Sequence, residues 1–141
     1  MAIPEVISIV PTQLEAQFFE DRIYEHNAFV TSRNDGKSFC KFIYSSDNSI
    51  IAGIMGWTWC NASEITSLWV ASSHRKNGYG AILLNAAEEE AEREHCNVII
   101  LRTYSFQAPD FYKKHGYEVA YKIVDFPPGN SYYCMIKRLK D

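Results

Sequence analysis

Residues 68–81 constrain this chain more than any other stretch. They open on an apolar segment, Leu68, Trp69 and Val70, and break into a short polar run. They then turn on Arg75, Gly78 and Gly80 into a helical sequence that begins Ala81, Ile82, Leu83 and Leu84. The helix is expected from about Gly80 to His95, with Leu83, Leu84, Ala87 and Ala91 as its buried face and Glu88, Glu89, Glu92 and Glu94 facing water. Next comes Val98–Leu101, a continuous apolar run, which reads as a strand buried on both faces beside a parallel neighbour. A strand, helix, strand unit of this length is a right-handed crossover. Its basic, glycine-containing turn at a helix N-terminus is also a physical recipe for holding a phosphate: free N–H groups converge there, the helix dipole favours negative charge, and glycine lets the ligand approach the backbone.

The rest of the chain falls around that unit. Glu5–Val10 is expected to be a first strand. Thr12, with Glu15 three residues on, signals a capping box opening a helix to about Asn27, with Leu14, Phe18, Phe19 and Ile23 as its apolar stripe. After a turn at Asn34–Gly36, strands over 37–45 and 50–60 form a hairpin around Ser46–Ser49, and a turn at Asn61–Ser63 leads into a strand over Glu64–Val70. Gly53 and Gly56 inside the second strand mark a bulge or a close backbone approach. Ala108–His115 reads as a short helix closed by Gly116, and Tyr117–Phe126 and Tyr132–Leu139 as a last antiparallel pair around Pro127–Asn130. The length of 141 residues suits one α/β domain over 1–141, with no repeat or linker.

Composition excludes several classes. A net charge of −3 argues against a general nucleic-acid binder. Cys40, Cys60, Cys96 and Cys134 are scattered without paired spacing, so no metal site is expected and reduced thiols are. No apolar stretch reaches the length of a membrane span, and Met1–Glu5 has no basic region leading into an apolar run, so a cytoplasmic protein without membrane partners is the expectation.

Three phosphate motifs compete at the turn. A Walker loop needs Gly-Lys-Ser/Thr, but Gly80 is followed by Ala81 and Ile82. A dinucleotide fingerprint needs a third glycine where Leu83 stands. What remains is Arg-x-x-Gly-x-Gly, Arg75 to Gly80, directly after a strand. This resembles the pyrophosphate-binding motif of the GNAT superfamily of N-acetyltransferases. The block Ser105–Tyr117, with Phe111-Tyr112 on a short helix and a Gly-aromatic exit, is similar to the family's next block, and Tyr132–Leu139 to its usual last strand. The resemblance covers essentially the whole chain.

The resemblance implies a single GNAT-like domain of the α/β (α+β) class. Its mixed, mostly antiparallel sheet of six to seven strands would contain a splayed parallel pair and be flanked by about four helices. It implies acetyl-CoA as co-substrate, without a metal, and acetyl transfer to a primary amine by direct attack in a ternary complex. The pantetheine arm would pair with the backbone of Leu68, Trp69 and Val70, where the Trp69 ring could equally be core. Arg75, Lys76, Asn77, Gly78, Tyr79, Gly80 and Ala81 would surround the pyrophosphate. Ser105, Ala108, Phe111 and Tyr112 would complete the cofactor site. Tyr112 matches the family tyrosine near the thioester sulfur and is assigned as general acid; Ser105 stands where asparagine is frequent.

The family's acidic residue before the turn falls at Thr66, which cannot be a base. Glu64, two residues earlier on the same strand face, is the candidate through a water, with a plain surface role equally open. Glu25 on the first helix is another candidate, and a bound water alone a third. Glu25, Asn27, Trp57, Asp125 and Tyr132 are candidate acceptor-cleft residues. The acceptor is expected to be a small-molecule or protein amine. Family members commonly dimerise through a sheet edge or the C-terminal strands, so a homodimer is a further expectation. The alternative class is an acyl-CoA sensor without turnover, which the missing acid at Thr66 supports and Tyr112 opposes.

Overall fold

The computed structural model describes residues 2–139. Their contacts divide the chain into two compact units, 1–34 and 35–141. In the first unit, helix α1 spans Gln13–Thr31. The Thr12 side chain accepts from the Glu15 N–H while Glu15 accepts from the Thr12 N–H, the expected capping box. The helix outlasts the expected end at Asn27 by four residues and stops where Ser32 turns left-handed. None of its residues is buried: Phe18 and Phe19 are exposed and meet edge to face, with the Arg22 guanidinium over the Phe18 ring. The expected strand at Glu5–Val10 does not form, and the segment is exposed coil. Its apolar residues come in pairs, Val6-Ile7 and Ile9-Val10, so no alternation gives it one apolar face. Pro4 and Pro11 also remove donors at either end.

The second unit holds one sheet. Its strands are β1 (Lys37–Tyr44), β2 (Ile50–Trp59), β3 (Ala62–Val70), β4 (Val98–Tyr104), β5 (Glu118–Val124) and β6 (Ser131–Arg138), in the order β1-β2-β3-β4-β6-β5. Among the described residues only β3 and β4 are parallel; the other neighbours are antiparallel. Helix α2 (Tyr79–Arg93) makes the crossover between them, and the short helix α3 (Pro109–Lys114) follows β4. With α1 that is three α-helices among the described residues where about four are expected, beside a 3₁₀ turn at Ser72–His74. The β2–β3 hairpin is tighter than expected. It turns on Cys60 and Asn61, both left-handed (φ 51° and 61°), so β3 begins at Ala62.

The expected face of α2 is the one buried: Leu83, Leu84, Ala87 and Ala91 join Ile54, Ile65, Ile99, Leu101 and Met135 in a single core. Glu88 corrects the rest of that expectation. It does not face water; its carboxylate takes Lys137 Nζ at 3.0 Å and lies 3.5 Å from the Tyr117 hydroxyl. One face of β4 is fully buried through Ile99 and Leu101, whereas Val98 and Ile100 on the other are half-buried and Arg102 is exposed.

Two features of β3 position the site. Gly56 on β2 lies so close to it that a Cβ there would stand 2.2 Å from the Glu64 carbonyl oxygen. Beyond that contact the register shifts: Gly56 pairs with Ile65 but Met55 with Ser67, leaving Thr66 as the extra residue of a bulge. The parallel pairing also ends there, its last pair being Ile65 with Leu101. From the bulge onward β3 and β4 diverge.

Candidate active site

The divergence opens a wedge of about 260 Å³, lined by Ile65–Leu68 on β3, Leu101–Thr103 on β4, and Gln107, Ala108 and Tyr112. A larger groove of about 720 Å³ continues along Leu68–Val70 and over the start of α2 to Phe106, Phe111 and Tyr112. Leu68, Gln107, Ala108 and Tyr112 line both, so the two spaces share a wall. Trp69 is about half exposed in the groove, which rules out the core alternative for its ring.

The groove's far end is built for an anion. Arg75 Nε donates to the Val70 carbonyl at 3.1 Å, which folds the turn back on the strand end. Lys76 and Gly78 are left-handed, at φ 68° and 81°. A Cβ at Gly78 would meet nothing within 4 Å, so conformation alone demands glycine there. Gly78 is the N-cap of α2 and offers no side-chain cap, so no side chain competes for the first N–H groups of the helix. Arg75 and Lys76 are exposed beside them. Gly80 packs against α3, where a Cβ would stand 3.4 Å from Phe111 Cζ. A phosphate-bearing cofactor with a long arm fits this donor set and this shape.

At the shared wall, Tyr112 is 7% exposed, and burial pushes its hydroxyl up to about 12. Its ring meets Phe111 at 5.3 Å and Tyr117 at 5.8 Å, edge to face in both cases. Tyr117 is pushed up as well, by burial first and then by the nearby Glu88 carboxylate.

The chemistry of the opposite strand face is more crowded. Glu64 forms an ion pair with Arg102, whose guanidinium is held more firmly charged by the neighbouring Tyr121 hydroxyl and by Glu64; the Glu64 side chain remains 18% exposed. Trp57 pairs with Glu64 across β2 and β3. Tyr132 pairs with Tyr104, and both join Phe106 and Phe126 in an aromatic cluster. Thr66 donates to the Met55 carbonyl at 3.3 Å.

A model of the "Acetyltransferase (GNAT) family" matches residues 3–117, across the boundary of the two units. The chain belongs to the GNAT acetyltransferase family. A blasticidin-S acetyltransferase of Streptomyces morookaense is 36% identical over 90 residues, covering 63% of this chain and 64% of that protein. The match thus spans just under two-thirds of that relative's length. A solved acetyltransferase from Bacillus cereus ATCC 14579 superposes with a TM-score of 0.78 at 30% identity, covering 95% of this chain and 98% of that one. A Bacillus anthracis str. Ames structure, assigned as a streptothricin acetyltransferase and crystallised with acetyl coenzyme A, shares the fold (TM-score 0.65, 20% identity, 76% of this chain and 65% of that one).

On this GNAT scaffold most of the expected cofactor residues come together: Leu68, Trp69, Val70, Arg75, Lys76, Gly78, Tyr79, Gly80, Ala81, Ala108, Phe111 and Tyr112 all line the groove. Asn77 and Ser105 do not. The Ser105 hydroxyl instead accepts from the Ser131 N–H at 3.0 Å, tying the β4 end to the start of β6. Glu25 lies in the first unit and is paired with Arg22 at 2.6 Å; Asn27 is on the same helix. His74, Phe106 and Gln107 also line the groove, although the sequence assigned none of them a place at the cofactor. Gln107 sat inside the quoted block and was the one side chain there with amide donors, which was the available signal.

Proposed function

We propose that the chain is an acetyl-CoA-dependent N-acetyltransferase that passes the acetyl group directly to a small polar primary amine. The observation that carries the reading is the position of Tyr112: a buried, protonated phenol on the wall shared by an anion-binding groove and the strand wedge. The arm would lie along Leu68–Val70 and the pyrophosphate at the start of α2 beside Arg75 and Lys76. The thioester end then falls beside Tyr112.

In the transfer the amine nitrogen bonds to the acyl carbon, the carbon–sulfur bond breaks, and the proton lost by the amine is balanced by the one gained by sulfur. An alkylammonium with a pKa of roughly 10.4 must first give up its proton. Glu64, still partly exposed beside Arg102, is the proposed acceptor of that proton through a water. Tyr112 serves the sulfur. Full transfer from a phenol near 12 to a thiolate of roughly 8.5 is uphill by about 5 kcal/mol, so its contribution is a hydrogen bond that tightens as charge builds on sulfur.

Blasticidin S, the acceptor named for the Streptomyces relative, is the first amine to test, followed by amino sugars, polyamines, amino acids and peptide N-termini. Free-thiol release from acetyl-CoA that depends on one of these amines, with the acetylated amine identified by mass, is the expected result. Tight acetyl-CoA binding without turnover on any amine would favour the sensor reading instead.

A further inference from the structure

The wedge between β3 and β4 is lined from both faces of the sheet. Leu101 and Thr103 are buried, and Arg102 between them points the other way, as alternate residues of a strand do. Tyr112 and Ala108 pack with the core on the Leu101 side. Arg102 therefore stands at the opposite mouth, the one left to an acceptor when the cofactor lies along Tyr112. Among the described residues that line the wedge, Arg102 alone carries a full charge. Its side chain is 43% exposed and holds Glu64 of the neighbouring strand. Tyr132 is close enough to be affected by both charges of that pair. A guanidinium suits a planar carboxylate, because its fork of N–H donors matches the two oxygens. The carboxylate that Arg102 holds here is the one proposed above as base. An oxygen occupied by a guanidinium is not free to face an amine or its water.

We propose that the acceptor is an amine that also bears a carboxylate, and that this carboxylate takes Arg102 in place of Glu64. The exchange is like for like. One carboxylate replaces another on the same guanidinium, and the released Glu64 is complementary to the acceptor's ammonium. One ion pair before binding becomes two afterwards, so neither protein charge is left unpaired. Glu64 then faces the ammonium whose proton it takes through a water, and the proton balance of the transfer is unchanged. An amine without an anion leaves Arg102 on Glu64. The inference rests on the transferase reading above and names its acceptor class.

The test sets each acid against its own amide: β-alanine against β-alaninamide, and L-lysine against L-lysinamide, with free-thiol release from acetyl-CoA as the readout. Without the neighbouring carboxylate the amide's amine is less basic, so more of it is neutral at a given pH and the comparison is biased against the expected result. The wild-type protein is expected to prefer the acid by about tenfold or more in kcat/KM, the value of one hydrogen-bonded charge contact. Arg102→Gln should remove that preference by slowing the acid and not the amide, with acetyl-CoA affinity unchanged. Arg102→Lys, which keeps the charge but not the fork, should restore part of it. A wild-type protein that takes amides as readily as acids overturns the inference and leaves the transferase reading standing. An unchanged acid-to-amide ratio in Arg102→Gln also overturns it, since equal losses belong to a brace between strands and not to a carboxylate site. Turnover of no amine, in this panel or in the wider screen, overturns the transferase reading and this inference with it.

Discussion

Burial raises the Tyr112 hydroxyl from 10.0 to about 12, and the direction of that shift has two measurable consequences. The neutral phenol is the favoured form in the folded protein, so the side chain can donate at any physiological pH. Replacing it by phenylalanine removes the donor while keeping the ring, and kcat should fall by roughly 10²–10³ with KM for acetyl-CoA little changed. Unchanged turnover in Tyr112→Phe on an active amine would show that sulfur needs no help from this residue. The second consequence is on stability. The folded pKa lies above the unfolded one, so the contribution is complete below about pH 10 and disappears as pH rises through about 12, a loss of roughly 3 kcal/mol. Urea midpoints should therefore drop more steeply between about pH 10 and 12 in wild type than in Tyr112→Phe. Coincident profiles would mean that the phenol is not held in a desolvated place.

At the scale of elements, the join of β2, β3 and β4 is where the scaffold makes its site. Gly56 permits β2 to lie against the Glu64 carbonyl, the bulge at Thr66 follows at once, and the parallel ladder ends at Ile65 and Leu101. A Cβ at Gly56 would stand 2.2 Å from that carbonyl oxygen and 2.6 Å from Phe39 Cζ. The ring could move but the backbone carbonyl could do so only by unpicking the ladder. Gly56→Ala is therefore expected to cost about 3 kcal/mol or more, seen as a lower urea midpoint, and to lower acetyl-CoA affinity by disturbing the wedge. Near-wild-type stability would mean that β2 and β3 can part without loss.

The same elements show what the sequence could reveal. Regular patterns transferred directly: the stripe Leu83, Leu84, Ala87 and Ala91 predicted the buried face of α2, and the continuous apolar run Val98–Leu101 the parallel neighbour of β3. Features that depend on a distant partner did not. Glu88 looks like its solvated neighbours until Lys137 and Tyr117 arrive from elsewhere in the chain. The sequence leaves the Trp69 ring open between core and groove, and only the parting of the strands beside it decides the matter. Ser105, expected at the cofactor, lies outside the groove lining and meets Ser131, 26 residues away, and that separation is invisible to a local motif.

For the molecule as a whole, binding a polyanionic cofactor is an electrostatic problem. The chain carries a net charge of −3, and the favourable charge is local: Arg75, Lys76 and the uncapped start of α2. Both side chains are exposed, so their attraction is screened over a Debye length of about 8 Å at 0.15 M ionic strength. Ligand that binds only the folded state stabilises it by about 2.7 kcal/mol at one hundred times its Kd, which for a chain of this size is a melting-temperature rise of roughly 5–10 °C. That rise should shrink as salt is increased at fixed acetyl-CoA, because Kd rises while the apo protein is little affected. Substituting Arg75 and Lys76 together by glutamine should reduce both the rise at low salt and its salt dependence, because the charges being screened are then gone. A shift equally large at low and high salt would move the binding energy from these charges to the arm and the neutral N–H groups. No shift at millimolar acetyl-CoA would remove the cofactor reading altogether.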